Sequence, residues 1–157
     1  MTSGNIPQKH REKQPAIIVD LDETLCTQFD VPVESGVAVL RRIDQIKLQV
    51  HYVTARTAIC REGTERFVRA HRLPGIQNVH YCPESIDSRE HKRRLHEALS
   101  REFEVIASIG DSFEERQAAA TAGIYFVEVD PCEPAGAWSI LADRIAGFGE
   151  LLRGEIL

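Results

Sequence analysis

The sequence lacks the features of a membrane-bound, disulfide-bonded or zinc-binding protein. No apolar run approaches the roughly 20 residues of a membrane-spanning helix, and the first residues lack the apolar core of a signal peptide. Cysteine is sparse, and no two cysteines form a C-x-x-C pair (Cys26, Cys60, Cys82 and Cys132). Such spacing is typical of reduced thiols. We therefore expect a soluble cytoplasmic protein.

Positive charge is also scarce. The chain has 19 Lys and Arg against 24 Asp and Glu, which gives a formal net charge of −5. This balance argues against nucleic-acid binding through a broad basic surface, but it does not exclude a local basic patch. The 157 residues, 43% of them hydrophobic, suit one globular domain. We expect a flexible lead-in at residues 1–14 and a single domain at residues 15–157.

The most informative stretch is Ala16–Leu25, which reads AIIVDLDETL. Its short apolar run predicts a strand buried on both faces of a parallel sheet, and ligands bind beyond the carboxyl ends of such strands. Asp20 and Asp22 are two residues apart and can point to one spot, where a raised pKa or a bound cation would relieve their repulsion. The alternative is a solvated turn that caps the next helix.

Strands and helices alternate along the rest of the chain. In residues 34–46, for example, Val37, Leu40, Ile43 and Ile46 recur every three residues, which predicts an amphipathic helix. The predicted helices are 34–46, 59–72, 88–100, 113–122 and 137–152, and the predicted strands after the first are 48–53, 78–82, 105–109 and 124–129. Residues 23–33 are predicted as a loop. This order predicts an α/β fold, with a doubly wound, parallel, five-stranded sheet flanked by helices.

Several stretches resemble motifs of the haloacid dehalogenase (HAD) superfamily. Ile17–Leu25 matches the first motif, an apolar strand followed by D-x-D-x-T/V-L/V, throughout. The second motif ends an apolar strand in Thr or Ser, and Thr54 in HYVTAR fits it. The third motif is a basic residue before the fourth strand. Lys92 fits this position, with Arg89 and Arg93 as alternatives.

The fourth HAD motif resembles Ile109–Ile124, which reads IGDSFEERQAAATAGI. Asp111 takes the first acidic position of this motif. Glu115 stands where the pattern has its second Asp, and Glu114 is an alternative to it. All four motifs occur in the family's order. That order differs from phosphoacceptor receiver domains, in which the phosphorylated Asp comes between the acidic pair and the Thr.

The resemblance implies a Mg²⁺-dependent phosphatase. Asp20 would attack phosphorus to give an aspartyl-phosphate, and Asp22 would serve as general acid and base. Thr54 and Lys92 would hold the phosphoryl oxygens. The implied metal ligands are the Asp20 side chain, the Asp22 backbone carbonyl, Asp111 and Glu115. The acid at position 22 favours phosphoryl transfer over dehalogenation, because a halide leaves without a proton.

Arg56 gives Thr54 a T-x-R context, which resembles some nucleotidases and polynucleotide phosphatases of the superfamily. It would contact a substrate phosphate or carboxylate through its planar fork, or else be a surface residue at the start of a helix. A different class of protein is also considered, a non-catalytic binding module with the HAD fold. The intact acidic positions argue against it.

The spacing of the motifs leaves no room for a cap domain. The stretches from Asp22 to Thr54 and from Thr54 to Lys92 are shorter than the usual minimum of about 50 residues for a domain, and predicted elements fill most of them. The chain therefore resembles the capless class. Its members act on large substrates or borrow a neighbouring subunit as a lid. We expect a phosphorylated substrate that is macromolecular or extended, or else a homo-oligomer.

Overall fold

The structure, a computed structural model, describes residues 12–154. Its strands are β1 (Pro15–Val19), β2 (Cys26–Thr27), β3 (Val31–Pro32), β4 (Gln49–Val53), β5 (Val79–His80), β6 (Glu104–Gly110) and β7 (Phe126–Glu128). Its helices are α1 (Glu34–Arg41), α2 (Arg61–Ala70), α3 (Ser88–Glu102), α4 (Phe113–Ala122) and α5 (Ala135–Ala146). Short 3₁₀ turns lie at Gln28–Asp30, Ala58–Cys60 and Ile76–Asn78.

Five parallel strands form the main sheet, in the order β5-β4-β1-β6-β7. β1 lies at the centre, between β4 and β6. The carboxyl ends of all five strands therefore meet at one edge of the sheet, where ligands bind in open α/β folds. The predicted fold class, a parallel five-stranded sheet flanked by helices, is confirmed.

Alternate side chains of β1 enter two separate cores. Ile17 and Val19 belong to a core that also contains residues of α1, α2 and α5. Ile18 faces the other way and packs with residues of α3 and α4. All three side chains are buried, and each contributes about 1.5–3 kcal/mol of stability. The strand that carries the first motif is therefore anchored on both faces.

Trp138 of α5 supports the loop that follows β1. Its indole is fully buried, and Nε1 donates a hydrogen bond to the Thr24 carbonyl oxygen at 3.1 Å. Helix α1 approaches this ring so closely that a Cβ on Gly36 would lie 2.6 Å from it. Only glycine permits this packing. The position of the loop is thus set by two helices on the same face of the sheet.

The prediction of a plain loop at residues 23–33 is wrong. This stretch contains the antiparallel hairpin β2–β3, in which Cys26 pairs with Pro32 and Thr27 with Val31. Each strand has only two residues, so no alternating pattern could reveal it. The turn holds Phe29 and Asp30 with φ angles of 62° and 55°, although neither residue is glycine.

Two predicted helices end well before the expected residue, for a shared reason. α1 ends at Arg41 rather than at residue 46, and α5 ends at Ala146 rather than at residue 152. The backbone N–H of Asp44 donates to the Leu151 carbonyl oxygen at 2.9 Å. This pairing joins the two segments beyond the helices. It draws both segments out of the helical path, and sequence periodicity cannot show such a long-range contact.

Residues 12–154 contain no inserted cap domain. The segment between Asp22 and Thr54 holds the hairpin, α1 and β4, and the segment between Thr54 and Lys92 holds α2 and β5. No helix in the described part of the chain is both long and apolar enough to span a membrane. Residues 1–11 of the predicted lead-in lie outside the described residues, and the single-domain assignment stays a prediction.

Candidate active site

Two neighbouring strands bring Asp20 and Asp111 together. Asp20 directly follows β1, and its backbone N–H donates to the Ile109 carbonyl oxygen of β6 at 3.0 Å. Asp111 directly follows β6. The buried Thr24 hydroxyl lies 3.3 Å from Asp20 Oδ2 and 3.5 Å from Asp111 Oδ1, so it is within reach of both carboxylates. The first and fourth motifs therefore meet at the carboxyl edge of the sheet.

The first turn of α4 adds a third carboxylate. Ser112 caps this helix, and Glu115 accepts hydrogen bonds from the Ser112 backbone N–H at 2.9 Å and from its hydroxyl. This reciprocal arrangement is a capping box. A Cβ on Gly110 would lie 2.8 Å from Glu115 Cγ, so glycine is needed for the close approach. The local fold of the fourth motif thus holds Glu115 inward.

Asp20, Asp111 and Glu115 form an acidic cluster. One carboxylate oxygen from each lies within 4.8 Å of the others. Burial raises the pKa of Asp20 well above its usual range, and the charges of Glu115 and Asp111 raise it further, while Lys92 opposes them. Oxygen donors crowded in this way fit a hard divalent cation, which would favour the ionised carboxylates. The Asp22 side chain lies outside the cluster.

Lys92 of α3 is buried beside this acidic cluster. Its Nζ forms an ion pair with Glu115 Oε1 and lies 3.9 Å from Glu114 Oε2. Burial lowers the pKa of Lys92, but the nearby carboxylates, Asp20 first, outweigh this effect and raise it overall. The side chain is therefore a positive charge at the cluster.

The two alternatives for the third motif lie elsewhere. Arg93 pairs with Glu90 at 2.6 Å and with Glu97 at 3.1 Å along the outer face of α3. Arg89 is exposed and lines a shallow depression between α3 and α4. Of the three basic residues that the sequence left open, the structure brings only Lys92 into contact with the acidic cluster.

Thr54 lies at the end of β4, the strand next to β1. Its side chain is fully buried, and Oγ1 accepts a hydrogen bond from the Arg56 backbone N–H at 3.0 Å. The Thr54 backbone N–H donates to the His80 carbonyl oxygen at 3.3 Å. Within residues 12–154 the hydroxyl is paired only as an acceptor, so it can still donate a hydrogen bond.

Arg56 binds two acidic side chains at once. Its Nη2 lies 2.7 Å from Asp22 Oδ1 and 2.7 Å from Asp30 Oδ1, and its Nη1 donates to Thr64 Oγ1 at 3.0 Å. Hydrogen bonds to Asp22, together with those to Asp30, raise the pKa of Arg56 despite its burial. Sequence reasoning missed Asp30 and Thr64, since neither belongs to a motif.

Buried histidines, which belong to none of the four motifs, join the elements behind the site. His96 of α3 lies 2.7 Å through Nδ1 from the Lys92 carbonyl oxygen and 2.8 Å through Nε2 from Ser108 Oγ of β6. His51 Nδ1 lies 3.0 Å from His80 Nε2. Burial lowers the pKa of His96 from 6.5 to about 4. His96 therefore holds α3 against β6 in its neutral form.

We expect His96 to make folding stability depend on pH. Its folded pKa lies below the unfolded value, so its contribution is complete above pH 6.5 and is lost as the pH falls toward 4. The loss between pH 7.5 and pH 5 would be about 2 kcal/mol. Urea unfolding of wild type and His96→Gln at pH 7.5 and pH 5 measures it. The free energy of unfolding of His96→Gln should change less between the two pH values than that of wild type. Equal changes would contradict the role assigned to His96.

Comparison with known proteins supports the fold. No family model and no curated protein matches the sequence. Among solved structures, a protein described as a HAD-like phosphatase from Mesorhizobium loti superposes with a TM-score of 0.66 at 18% identity, over 88% of this chain and 88% of that chain. The chain has a HAD-like fold. The fold implied by the four motifs is thereby confirmed.

Two further solved structures are matched over different shares of their own chains. The class C acid phosphatase from Bacillus anthracis has a TM-score of 0.55 at 14% identity, over 94% of this chain and 83% of that chain. A chain of the Pnkp1/Rnl/Hen1 RNA repair complex has a TM-score of 0.58 at 18% identity, over 74% of this chain. The match spans 42% of that longer chain. At these identities the likeness concerns the fold alone.

Proposed function

We propose that this protein is a Mg²⁺-dependent phosphatase of the HAD superfamily that hydrolyses phosphate monoesters through an aspartyl-phosphate on Asp20. The observation that carries this proposal is the acidic cluster with buried Lys92 beside it, at the carboxyl edge of the sheet. Phosphoryl transfer depends mainly on positioning and charge stabilisation, and this arrangement supplies both. The HAD-like fold supports the same conclusion.

The reaction has two displacement steps at phosphorus. In the first, an Asp20 carboxylate oxygen bonds to phosphorus as the ester P–O bond breaks, and Asp22 gives a proton to the leaving oxygen. In the second, Asp22 takes a proton from water, the water oxygen bonds to phosphorus, and Asp20 leaves as a carboxylate. The Thr54 hydroxyl donates a hydrogen bond to a phosphoryl oxygen, and Lys92 stabilises the negative charge.

The proposed Mg²⁺ ligands are the Asp20 and Asp111 side chains and the Asp22 backbone carbonyl, with Glu115 as a further candidate and Glu114 as its alternative. When bound, the ion would neutralise charge on the phosphoryl and carboxylate oxygens. Glu115 already binds Lys92 and Ser112, so it also fixes the positive charge beside the cluster. Its role as a ligand stays a proposal.

Arg56 links the proposed acid to the hairpin. Each of its guanidinium nitrogens already has an oxygen partner in Asp22, Asp30 or Thr64. A substrate phosphate that binds Arg56 would replace one of these partners. We propose that substrate entry makes this exchange, which frees the Asp22 carboxyl to reach the leaving oxygen.

A phosphatase acting on nucleotides or polynucleotides is the second candidate. The T-x-R context of Arg56 and the likeness to a chain of an RNA repair complex favour it. The net charge of −5 argues against a long nucleic-acid contact. The expected homo-oligomer, which would supply a lid to an uncapped site, stays a prediction.

Simple phosphomonoesters test the proposed activity. Purified protein is incubated with a panel of esters, once with Mg²⁺ and once with a chelator, and inorganic phosphate is measured. We expect phosphate release with Mg²⁺ and none in the chelator. Binding of Mg²⁺ without hydrolysis of any ester would instead favour the non-catalytic binding module, and full activity in the chelator would contradict the metal-dependent mechanism.

We expect Asp111→Ala to raise the Mg²⁺ concentration for half-maximal activity by about tenfold or more, because the cluster loses one of its carboxylates. A Mg²⁺ titration of activity and calorimetric Mg²⁺ binding measure the change. Asp143→Ala, on the exposed face of α5, is the matched control and should behave as wild type. An unchanged titration for Asp111→Ala would remove Asp111 from the metal site.

A further inference from the structure

Three large exposed apolar side chains lie in segments that follow the strands ending at the acidic cluster. Phe29 is 91% exposed in the hairpin that follows β1, Ile59 is 84% exposed in the 3₁₀ turn that follows β4, and Phe113 is 70% exposed as the first residue of α4 after β6. The three preceding strands are adjacent in the sheet, with β1 between β4 and β6. These side chains, here called the apolar rim, therefore lie at the edge where Asp20 and Asp111 meet.

The backbone holds Phe29 outward in an unfavourable conformation. Phe29 and Asp30 have φ angles of 62° and 55°, in the left-handed region that strains non-glycine residues. The strain is retained while Phe29 gains no burial within residues 12–154. Strained residues of this kind concentrate at functional sites. An exposed aromatic ring in such a turn points to a contact made with another molecule.

Before a substrate enters, Arg56 joins the hairpin to the proposed acid. Arg56 Nη2 lies 2.7 Å from Asp30 Oδ1, next to Phe29, and 2.7 Å from Asp22 Oδ1. A single side chain thus joins the turn that carries Phe29 to the residue that would protonate the leaving oxygen. The turn that carries Phe29 therefore lies on the side of the site that holds the proposed acid, where the leaving group would sit.

The site divides by chemistry into a charged interior and an apolar entrance. Lys92 and the acidic cluster suit the phosphoryl group, whereas the apolar rim offers two aromatic rings and an aliphatic side chain. The Arg56 guanidinium pairs with both Asp22 and Asp30, so these three side chains together offer no net positive charge to a polyanion at the entrance. Aromatic rings pair favourably with other rings.

We propose that Phe29, Ile59 and Phe113 bind the leaving group and select phosphate monoesters whose leaving group carries an aromatic ring. This inference rests on the proposed phosphatase function. The ring can belong to a small aryl alcohol or to a nucleobase, since both present a flat apolar face. Selection arises because the rim covers the ring only when the phosphoryl group lies on the acidic cluster.

Two matched substrate pairs test the rim. Phenylpropyl phosphate is compared with propyl phosphate, and adenosine monophosphate with the ribose phosphate that lacks the base. Within each pair the scissile bond is similar and only the ring differs. For at least one pair, wild type should favour the ring-bearing member by about tenfold in kcat/KM. Preference in one pair alone identifies the source of the ring.

Variants show whether the rim causes this preference. Phe29→Ala and Phe113→Ala should each reduce the ratio of kcat/KM between the two members of the favoured pair. The double variant should bring this ratio to within about twofold of one. Ile46→Ala is the matched control, because Ile46 is 86% exposed but precedes β4, at the opposite edge of the sheet. It should keep the wild-type preference. A preference that survives the double change overturns the inference.

Other outcomes also decide the question. Equal kcat/KM within both pairs in wild type contradicts the rim. A 3′-phosphorylated oligonucleotide favoured over all four esters, with the double variant unaffected, assigns the entrance to a polynucleotide instead. If no ester is hydrolysed, the proposed function fails separately. Calorimetry then measures the affinity of wild type for the same pairs. Equal affinities within both pairs overturn the proposed role of the rim.

Discussion

Asp20→Asn is expected to lower phosphatase turnover by about 10⁴-fold or more while the protein stays folded. The amide has nearly the shape of the carboxylate but cannot act as a nucleophile toward phosphorus. The backbone hydrogen bond from residue 20 to Ile109 is unaffected, and the amide oxygen can still accept from Thr24. Stability should be equal or higher, because one of three crowded carboxylates is removed.

The measurements for Asp20→Asn are phosphate release and urea unfolding on the same preparation. Asp143→Asn, a surface change on α5, serves as the matched control and should retain wild-type activity. Activity of Asp20→Asn within about tenfold of wild type, roughly 1.4 kcal/mol in barrier, would exclude Asp20 as the nucleophile.

Lys92→Ala is expected to lower turnover by about 10²- to 10³-fold, because the positive charge nearest the cluster is lost. The same change leaves Glu115 buried without its partner, which costs about 3–5 kcal/mol of stability. A loss of activity in this variant could therefore reflect unfolding. A second variant is needed to separate the two effects.

Lys92→Met combined with Glu115→Gln removes both charges of the pair, and Glu115→Gln alone measures the part of any loss that belongs to Glu115 as a candidate metal ligand. The amide oxygen introduced by Glu115→Gln can still accept from the Ser112 backbone N–H, so we expect near wild-type stability but no recovery of activity. Arg89→Ala and Arg93→Ala are the matched controls on the same helix. If Arg89→Ala were the crippling change, the placement of the third motif at Lys92 would be wrong.

The sequence predicted the central parts of this fold because their signals are local. The apolar run of β1 and the acidic residues after it place the site at one end of a buried strand, and the alternation of elements predicts the parallel sheet. The meeting of Asp20 and Asp111 follows from the same signals. Each residue directly follows a parallel strand, and the carboxyl ends of neighbouring parallel strands necessarily share an edge.

The contacts that the sequence did not predict are long-range. Nothing in the residues around Asp30 shows that it pairs with Arg56, and nothing near Asp44 shows that its N–H pairs with Leu151. The choice of Lys92 over its neighbours also depends on how α3 lies against α4. Helical periodicity gives the faces of a helix, but the identity of the residue that reaches the cluster follows from packing.

The most direct test of the account is to trap the phosphoenzyme. Wild type is mixed with an excess of a hydrolysable ester and Mg²⁺, quenched in acid within the first turnover, digested and analysed by mass spectrometry. We predict one added phosphoryl group on the peptide that contains Asp20, removable by hydroxylamine and missing from Asp20→Asn. Rapid phosphate release with no phosphorylated peptide at any quench time, or with the group on another residue, would contradict the proposed mechanism.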